Sequence, residues 1–398
     1  MSKLTLMMIM AIVTVIIAIT PLAAQDESTI DCSDTDTTGI AQEQCEALIA
    51  IYEPMNVDEW VSNDAWLTSE TPCDWYGITC EEGQIVRLQL AGGSSTNILP
   101  PEIGQLIYLT NLALYHTQLT ALPPEIGQLV NLTTLELSYN QLTALPPEIV
   151  QLDSLQNLFL SDNQLTELPP EILQLESLEG LRLDSNQLTE LPPGIGQLEN
   201  LERLDLSGNQ LTELPTEIGQ LHNLVGLYLS GNQLTELPSE IGQLSKLRSL
   251  NLGENQLTEL PTELWQLHDL VGLYLGYNQL TELPPEIGQL ENLEELELDG
   301  NQLTELPTEI GQLESLEAIW FYGNQLTELP PEIGQLENLE ELDLSNNQLA
   351  ELPPEIMELD NLEDLYLCGN PLVIADREIE AWVSDLDEDW DQECPEDE

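Results

Sequence analysis

The 398-residue sequence predicts an α/β solenoid, a curved stack of similar coils with a parallel sheet along its concave side. Two observations carry the prediction: one polar residue recurs at a fixed interval, and leucines alternate beside it. Asparagine returns every 23 residues, at Asn140, Asn163, Asn186, Asn209, Asn232, Asn255, Asn278, Asn301, Asn324, Asn347 and Asn370. Thr117 holds the same place one interval earlier. This regularity indicates stacked repeats rather than an ordinary globular fold.

Each interval predicts one short strand followed by a turn. Before Asn186, the alternation of Leu181 and Leu183 with outward residues is the pattern of a strand with one buried face. The following stretch, typically QLTELPPEIGQL, contains proline and glycine and allows no more than a turn or two of helix on an irregular convex side. A buried asparagine amide needs hydrogen-bond partners, and the neighbouring repeat's backbone is the available one.

The pattern L-x-x-L-x-L-x-x-N-x-L-T-x-L-P resembles the leucine-rich repeat signature of the Ras-group and bacterial type, over about three quarters of the chain. The resemblance implies a horseshoe with covered ends. Cys73, Trp75, Gly77 and Cys80 resemble the N-terminal cap of plant receptor-like and polygalacturonase-inhibitor proteins. We therefore expect a signal peptide at 1–24, an N-terminal cap at 25–85, leucine-rich repeats at 86–370, and a C-terminal cap with an acidic tail at 371–398.

All six cysteines lie at the two ends of the chain, at Cys32, Cys45, Cys73, Cys80, Cys368 and Cys394. A dozen strands about 4.8 Å apart separate these ends by far more than the roughly 7 Å allowed between bridged Cα atoms, which excludes cross-end pairs. Cys368 then pairs with Cys394 if it pairs at all. The cap resemblance implies a Cys73–Cys80 pair, which leaves Cys32 with Cys45. We expect disulfides rather than metal thiolates.

Residues 1–24 are typical of an export signal, with Lys3, an apolar run at 4–19 and small residues at the end. The apolar run is short for a membrane span, which needs about 20 residues. We expect cleavage and a secreted, extracellular protein with no stable membrane insertion afterwards. Retention of the segment as an uncleaved anchor is the alternative.

The repeats differ most at the outward strand residue four places before each asparagine. This column reads Glu136, Phe159, Arg182, Asp205, Tyr228, Asn251, Tyr274, Glu297, Trp320, Asp343 and Tyr366. From Tyr228 the aromatic members recur every 46 residues. Tyr115, Tyr139, Tyr277 and Tyr322 occupy neighbouring outward positions, whereas Phe321 replaces a core leucine. Duplication of a two-repeat unit would also explain the spacing, since LVGLYL occurs at 224 and again at 270.

Exposed tyrosine and tryptophan rings on a sheet favour binding, because such rings dominate interface hot spots. The hypothesis is an exported recognition protein that holds a protein or peptide on its concave face, as most proteins of the resembled family do. Its apolar anchors are Phe159, Tyr228, Tyr274, Trp320 and Tyr366, with Tyr277 and Tyr322 beside them. Its polar selectors are Arg182, Asp205, Glu297 and Asp343. The alternative is a carbohydrate-binding or calcium-assembled cell-surface protein.

The sequence favours no enzymatic class, because it lacks G-x-S-x-G, H-E-x-x-H, phosphate-loop and dinucleotide motifs. A net charge of -66, from 73 acidic and 7 basic residues, disfavours nucleic acid as a partner. Two columns of glutamates repel one another along the stack. Diffuse counterions can neutralise them, or Ca²⁺ can associate weakly with the carboxylates. We expect no dedicated cofactor or metal site.

Overall fold

A computed structural model of the protein describes residues 30–52, 54–55, 66–67, 69–92, 98–387, 390, 392 and 394. The expected signal peptide at 1–24 lies outside the described residues. Those residues contain one sheet of 14 strands. The strands are β1 (Ile78–Glu81), β2 (Gln84–Ala91), β3 (Asn111–Tyr115), β4 (Thr134–Glu136), β5 (Asn157–Phe159), β6 (Gly180–Arg182), β7 (Arg203–Asp205), β8 (Gly226–Tyr228), β9 (Ser249–Asn251), β10 (Gly272–Tyr274), β11 (Glu295–Glu297), β12 (Ala318–Trp320), β13 (Glu341–Asp343) and β14 (Asp364–Tyr366).

The strands pair in sequence order, so the sheet grows by one strand per repeat. β1 is antiparallel to β2, and every later pairing is parallel. In β10, Leu273 pairs with Leu250 on one side and Leu296 on the other, and all three are fully buried. The leucines of successive repeats therefore merge into one continuous core. The predicted solenoid with a parallel sheet on its concave side is confirmed.

The convex side consists of short 3-10 helices that begin just after a proline. They span Pro101–Gln105, Pro124–Gln128, Pro147–Gln151, Pro170–Gln174, Pro193–Gln197, Thr216–Gln220, Ser239–Gln243, Thr262–Gln266, Pro285–Gln289, Thr308–Gln312, Pro331–Gln335 and Pro354–Glu358, with a further one at Pro72–Asp74 in the cap. Proline supplies the φ value that starts each helix, and its missing N–H is not needed there. The expected short helical convex side is confirmed.

A glycine in most of these helices lets neighbouring coils approach closely. A Cβ atom added to Gly242 would lie 2.3 Å from the Glu263 carbonyl oxygen of the next repeat. Val150, Leu173, Trp265 and Met357 occupy the same position in the other four helices. After the first three of these residues, the following helix packs less closely. Trp265 is fully buried in this layer and does not lie on the concave sheet.

The asparagine column forms a ladder inside the coil. Nδ2 of Asn232 donates to the carbonyl oxygens of Leu206 (3.0 Å) and Leu229 (2.9 Å), and its Oδ1 accepts from Leu211 N at 3.0 Å. The same pattern recurs from Asn140 to Asn370. The amide thus pairs backbone groups that the turn leaves without strand partners, as predicted for a buried asparagine.

The N-terminal cap covers the first coil with helices α1 (Thr35–Thr38) and α2 (Gln42–Tyr52). Disulfides join Cys32 to Cys45 and Cys73 to Cys80, confirming both expected pairs. Trp75, the tryptophan of the cap pattern, is buried with its ring 4.8 Å from that of Trp66.

The C-terminal cap closes the other end with helix α3 (Arg377–Leu386) and the predicted Cys368–Cys394 disulfide. Leu367 N donates to Oδ2 of Asp387 at 3.0 Å. In an inner repeat the corresponding N–H donates to a backbone carbonyl oxygen of the next strand, as Leu344 N does to Tyr366 O. A side chain of the cap therefore replaces the missing fifteenth strand at the sheet edge. The exact division of the chain into caps and repeats stays a prediction.

Three disulfides are typical of a protein that folds in an oxidising compartment. Across the portion of the chain with described coordinates, no helix combines the length and the apolar character needed to cross a membrane.

Candidate functional site

In each three-residue strand, from β4 to β14, two side chains point out of the concave sheet, one on either side of a buried leucine or isoleucine. We call them the first and second outward positions, six and four residues before the ladder asparagine. The second outward position is the last residue of its strand and holds the predicted site residues Phe159, Arg182, Asp205, Tyr228, Tyr274, Glu297, Trp320, Asp343 and Tyr366. Arg182 and Tyr366 are exposed, and the other seven are partly buried. The structure therefore brings these residues into one row across the sheet.

Tyr228 and Tyr274 lie down on the sheet instead of standing out from it. The first outward positions beneath them are Gly226 and Gly272. A Cβ atom added to these glycines would lie 3.0 Å from Cε2 of Tyr228 and 2.9 Å from Cε2 of Tyr274. Each ring thus occupies the space that a larger residue would fill, which explains why these outward tyrosines are only partly exposed.

Acidic side chains of the following strand hold two of the rings in place. The hydroxyl of Tyr274 donates to Glu295, and Nε1 of Trp320 donates to Oε1 of Glu341 at 2.9 Å. Burial, reinforced by the bond to Glu295, raises the pKa of Tyr274, so the phenol keeps its proton. Both bonds restrain the orientation of the rings on the sheet.

A pocket of about 280 Å³ opens between Tyr228 and Tyr274. Arg203 and Arg248 line it, and they are two of only seven cationic residues in the sequence. Within the described ranges, neither guanidinium has an ion-pair or hydrogen-bond partner. The remaining lining residues are Val225, Gly226, Ser249, Val271, Gly272 and Glu295. The pocket therefore combines two rings with two cations that form no salt bridge among the described residues.

Towards the N-terminal cap, the row continues with a contact between the Arg182 guanidinium and the Phe159 ring. The guanidinium carbon of Arg182 lies 5.4 Å from the centre of the Phe159 ring, within the range of a cation–π interaction. Towards the C-terminal cap, Tyr277 and Tyr322 lie in the turns after β10 and β12. Tyr277 is 55% exposed and Tyr322 is partly buried. Phe321 is fully buried, which confirms its expected place in the core.

The C-terminal half of the concave face carries carboxylates whose pKa values are raised. Burial raises the pKa of Asp299 to about 7, and repulsion by Asp343 and Glu297 adds to this, although the bond from Tyr322 N to Asp299 Oδ1 (2.7 Å) opposes it. Burial likewise raises the pKa of Glu297, and that of Asp343. Glu297, Asp299 and Asp343 are therefore held together at a cost that increases as they ionise. At the end of β7, outside this half of the face, burial also raises the pKa of Asp205.

We expect the protein to become less stable as the pH rises from about 4 to about 7. The pKa of Asp299 is about 7 in the folded state and 3.8 as a free group, so over this interval the folded state binds a proton that the unfolded state has released. The stability contributed by this proton is lost as the pH passes through 7. Urea unfolding at pH 5 and pH 8 measures the difference, and Asp299→Asn should reduce it.

Glu236→Gln is the matched control, because it removes one carboxylate from an exposed position on the flank of the coil. It should leave the difference between pH 5 and pH 8 unchanged. An Asp299→Asn variant that keeps the full pH dependence of the wild type would contradict the assignment.

The sequence-based prediction of the site did not include the residues at the first outward position or the residue just before it. Arg203, Glu295 and Glu341 occupy the first outward position, and Arg248 stands one place before it. A usable signal was present, because Gly226, Gly272 and Ala318 accompany the rings of Tyr228, Tyr274 and Trp320 at that position. Small residues beside large ones indicate rings that fold onto the sheet. The sequence has only seven lysine and arginine residues, so the presence of Arg203 and Arg248 close to the tyrosine positions was a second signal.

Among the residues with described positions, no group of three or more histidine, cysteine or acidic side chains lies close enough to hold a metal ion. A weak association of Ca²⁺ with the exposed glutamates stays a prediction.

Family models for leucine-rich repeats match most of the chain. A model described as a leucine-rich repeat region matches residues 85–187 and 227–297, and a leucine rich repeat model matches 176–234. Further models match 292–313, 314–354 and 337–381. Together they extend from β2 to helix α3.

Similar proteins of known sequence or structure share this repeat. A leucine-rich repeat protein of Leptospira interrogans is 44% identical with a TM-score of 0.65, covering 77% of this chain and 84% of its own. The PEPR1–AtPEP1 structure gives 28% identity and a TM-score of 0.63, with 85% of this chain and 52% of that one covered. This chain therefore spans about half of that protein. A probable LRR receptor-like serine/threonine-protein kinase of Arabidopsis thaliana is 34% identical over 80 residues, 19% of this chain and 12% of the kinase.

Proposed function

The chain belongs to the leucine-rich repeat family, and from that premise we propose that it is an exported, non-catalytic recognition protein whose concave sheet binds a protein or peptide. The observation that carries the proposal is the pocket between Tyr228 and Tyr274 with its two unpaired arginines. The similar protein PEPR1 occurs in a structure together with AtPEP1, which supports a macromolecular ligand.

The two arginines indicate the chemistry of the ligand segment. On a chain of net charge -66, Arg203 and Arg248 form no salt bridge with a carboxylate among the described residues, although Glu295 lines the same pocket and accepts from Tyr274 instead. A planar guanidinium binds a carboxylate through two parallel hydrogen bonds. We therefore place a carboxylate of the ligand between these arginines and an apolar side chain between the two tyrosine rings.

The flanking residues extend contact along the row. Trp320 and Tyr366 offer further ring surface towards the C-terminal cap, and the Phe159–Arg182 pair does so towards the N-terminal cap. The carboxylates of Glu297 and Asp343 disfavour a second anionic group at that end of the ligand. A ligand carrying its negative charge at the centre and neutral or basic residues beyond it fits this arrangement.

The proposal predicts loss of binding when the pocket alone is altered. Peptides selected from a random displayed library on the wild-type protein should contain an acidic residue next to an apolar one. Binding of the best peptide, followed by fluorescence anisotropy, should weaken by roughly tenfold or more in Arg203→Gln/Arg248→Gln and in Tyr228→Ser/Tyr274→Ser, because buried rings and paired arginines are typical hot spots. Thermal unfolding of both variants shows whether they stay folded.

Tyr108→Ser/Tyr139→Ser is the matched control, since both tyrosines are exposed but lie outside the pocket. Equal peptide affinity in the wild type and both pocket variants would refute the proposed site.

A specific observation also favours a second candidate, a carbohydrate ligand. Tyrosine rings that lie flat over Gly226 and Gly272 present their faces outward, which suits stacking against a sugar ring. Binding to a glycan array that is lost in the tyrosine variant but kept in the arginine variant would favour this candidate over a peptide.

A further inference from the structure

A groove of about 620 Å³ runs along the flank of the last three repeats, away from the concave row, and ends against the C-terminal cap. The flank side is formed where each repeat leaves its strand through the L-x-E-L-P segment. The cap side is formed by the stretch that leads into helix α3. The lining residues are Glu305, Leu306, Thr308, Glu328, Leu329, Pro330, Pro331, Glu351, Leu352, Pro353, Pro354, Val373, Ile374, Ala375, Asp376 and Ile379.

The floor and the cap wall of the groove are apolar. Leu306, Leu329 and Leu352 form the floor, each with a small exposed area of 5 to 7%. Val373 stands on the cap wall with 73% of its surface exposed, more than any other large hydrophobic residue described. Val373 N donates to Ala350 O at 3.0 Å, so the wall is attached to the last repeat. An exposed valine beside an apolar floor is typical of a surface that a partner covers.

The rim of the groove is acidic. Glu305, Glu328 and Glu351 come from the same position of successive repeats, and all three are exposed. Asp376 adds a fourth carboxylate at the start of helix α3. No lysine or arginine is among the lining residues. The groove therefore combines an apolar floor with a strongly negative edge.

We propose that this groove docks a basic, partly apolar segment of another protein. Lysine or arginine side chains of the segment pair with the glutamates, and an aliphatic side chain lies on the leucine floor against Val373. The charge complementarity selects this occupant. A second copy of the chain fits poorly, because 73 acidic residues oppose 7 basic ones and two copies repel each other. The chain's own acidic tail is excluded by the same sign of charge.

The test uses a fluorescein-labelled eight-residue peptide of alternating lysine and leucine, measured by fluorescence anisotropy on the full chain. We expect Glu328→Gln/Glu351→Gln to weaken binding about fivefold, since exposed ion pairs contribute modestly. We expect Val373→Ser to weaken it about threefold through lost apolar contact. A peptide of alternating lysine and serine should bind several times more weakly than the lysine–leucine peptide.

The matched control is Glu236→Gln/Glu259→Gln, which removes the same two charges from the same column outside the groove. Its affinity should stay within twofold of the wild type. If the two double variants lose affinity equally, the peptide responds to the general negative field and the groove is not a site. Equal binding of the two peptides would also overturn the proposal. Arg203→Gln/Arg248→Gln should bind the lysine–leucine peptide normally, which separates this groove from the concave pocket.

Discussion

Asn232→Ala is expected to lower the free energy of unfolding by about 4 kcal/mol. The amide of Asn232 holds two buried carbonyl oxygens and accepts from the buried N–H of Leu211. Alanine leaves these backbone groups without partners, and each such group costs about 1 to 3 kcal/mol. Because Asn232 is only 7% exposed, the freed groups would have little access to water. Urea unfolding of the full chain, followed by circular dichroism, measures the change.

Asn200→Ala is the matched control, because Asn200 also donates to the preceding repeat but from an exposed position. Its Nδ2 lies 2.9 Å from Glu176 O, and solvent can take its place. We expect a loss of less than about 1 kcal/mol. Equal losses in the two variants would contradict the view that the inner ladder stabilises the stack through burial.

Cys368→Ser/Cys394→Ser is expected to loosen the C-terminal end by about 3 kcal/mol, because this disulfide closes a chain segment with a sequence separation of 26 residues. Each repeat contacts only its neighbours, so the loss should stay local. Asp387, which accepts from Leu367 N, lies in the same closed segment and would be held less firmly. Hydrogen exchange of the amides in β13 and β14 should accelerate, while β8 stays protected.

The opposite end supplies the control. Cys32→Ser/Cys45→Ser removes a disulfide of the N-terminal cap, and faster exchange should then appear in β2 and β3 instead of β14. Uniform acceleration along the whole sheet in either variant would show that the solenoid unfolds as one unit, against the expectation.

Much of the fold followed from the sequence because the same packing problem recurs in every repeat. Leu181 and Leu183 alternate with outward residues, and only a stack with one buried sheet face hides all such leucines together. The asparagine ladder followed from the need to satisfy a buried amide. The pairing of Cys368 with Cys394 followed from the length of the stack, because no cysteine of the other end can reach either residue.

The candidate site was predictable only in part. The second outward position could be identified from the sequence, because its residue differs from repeat to repeat while the surrounding repeat pattern stays nearly the same. The pocket could not, because it depends on how rings are oriented. Tyr274 folds over Gly272 and donates to Glu295, which lies 21 residues further along the chain. Arg203 and Arg248 meet at one pocket although they belong to different repeats.

By itself, the sequence determined the solenoid and the stacking of its repeats, because a 23-residue period lets each repeat bury its strand leucines and pair its inner asparagine in the same way. The covered ends followed from the resemblance to the leucine-rich repeat family. Only the tertiary structure decided which outward residues act together. A side chain on an open sheet face has several orientations of similar energy, and contacts with the neighbouring strands select among them. The two arginines beside two flattened tyrosines, and the acidic groove beside the C-terminal cap, arise from those contacts between repeats.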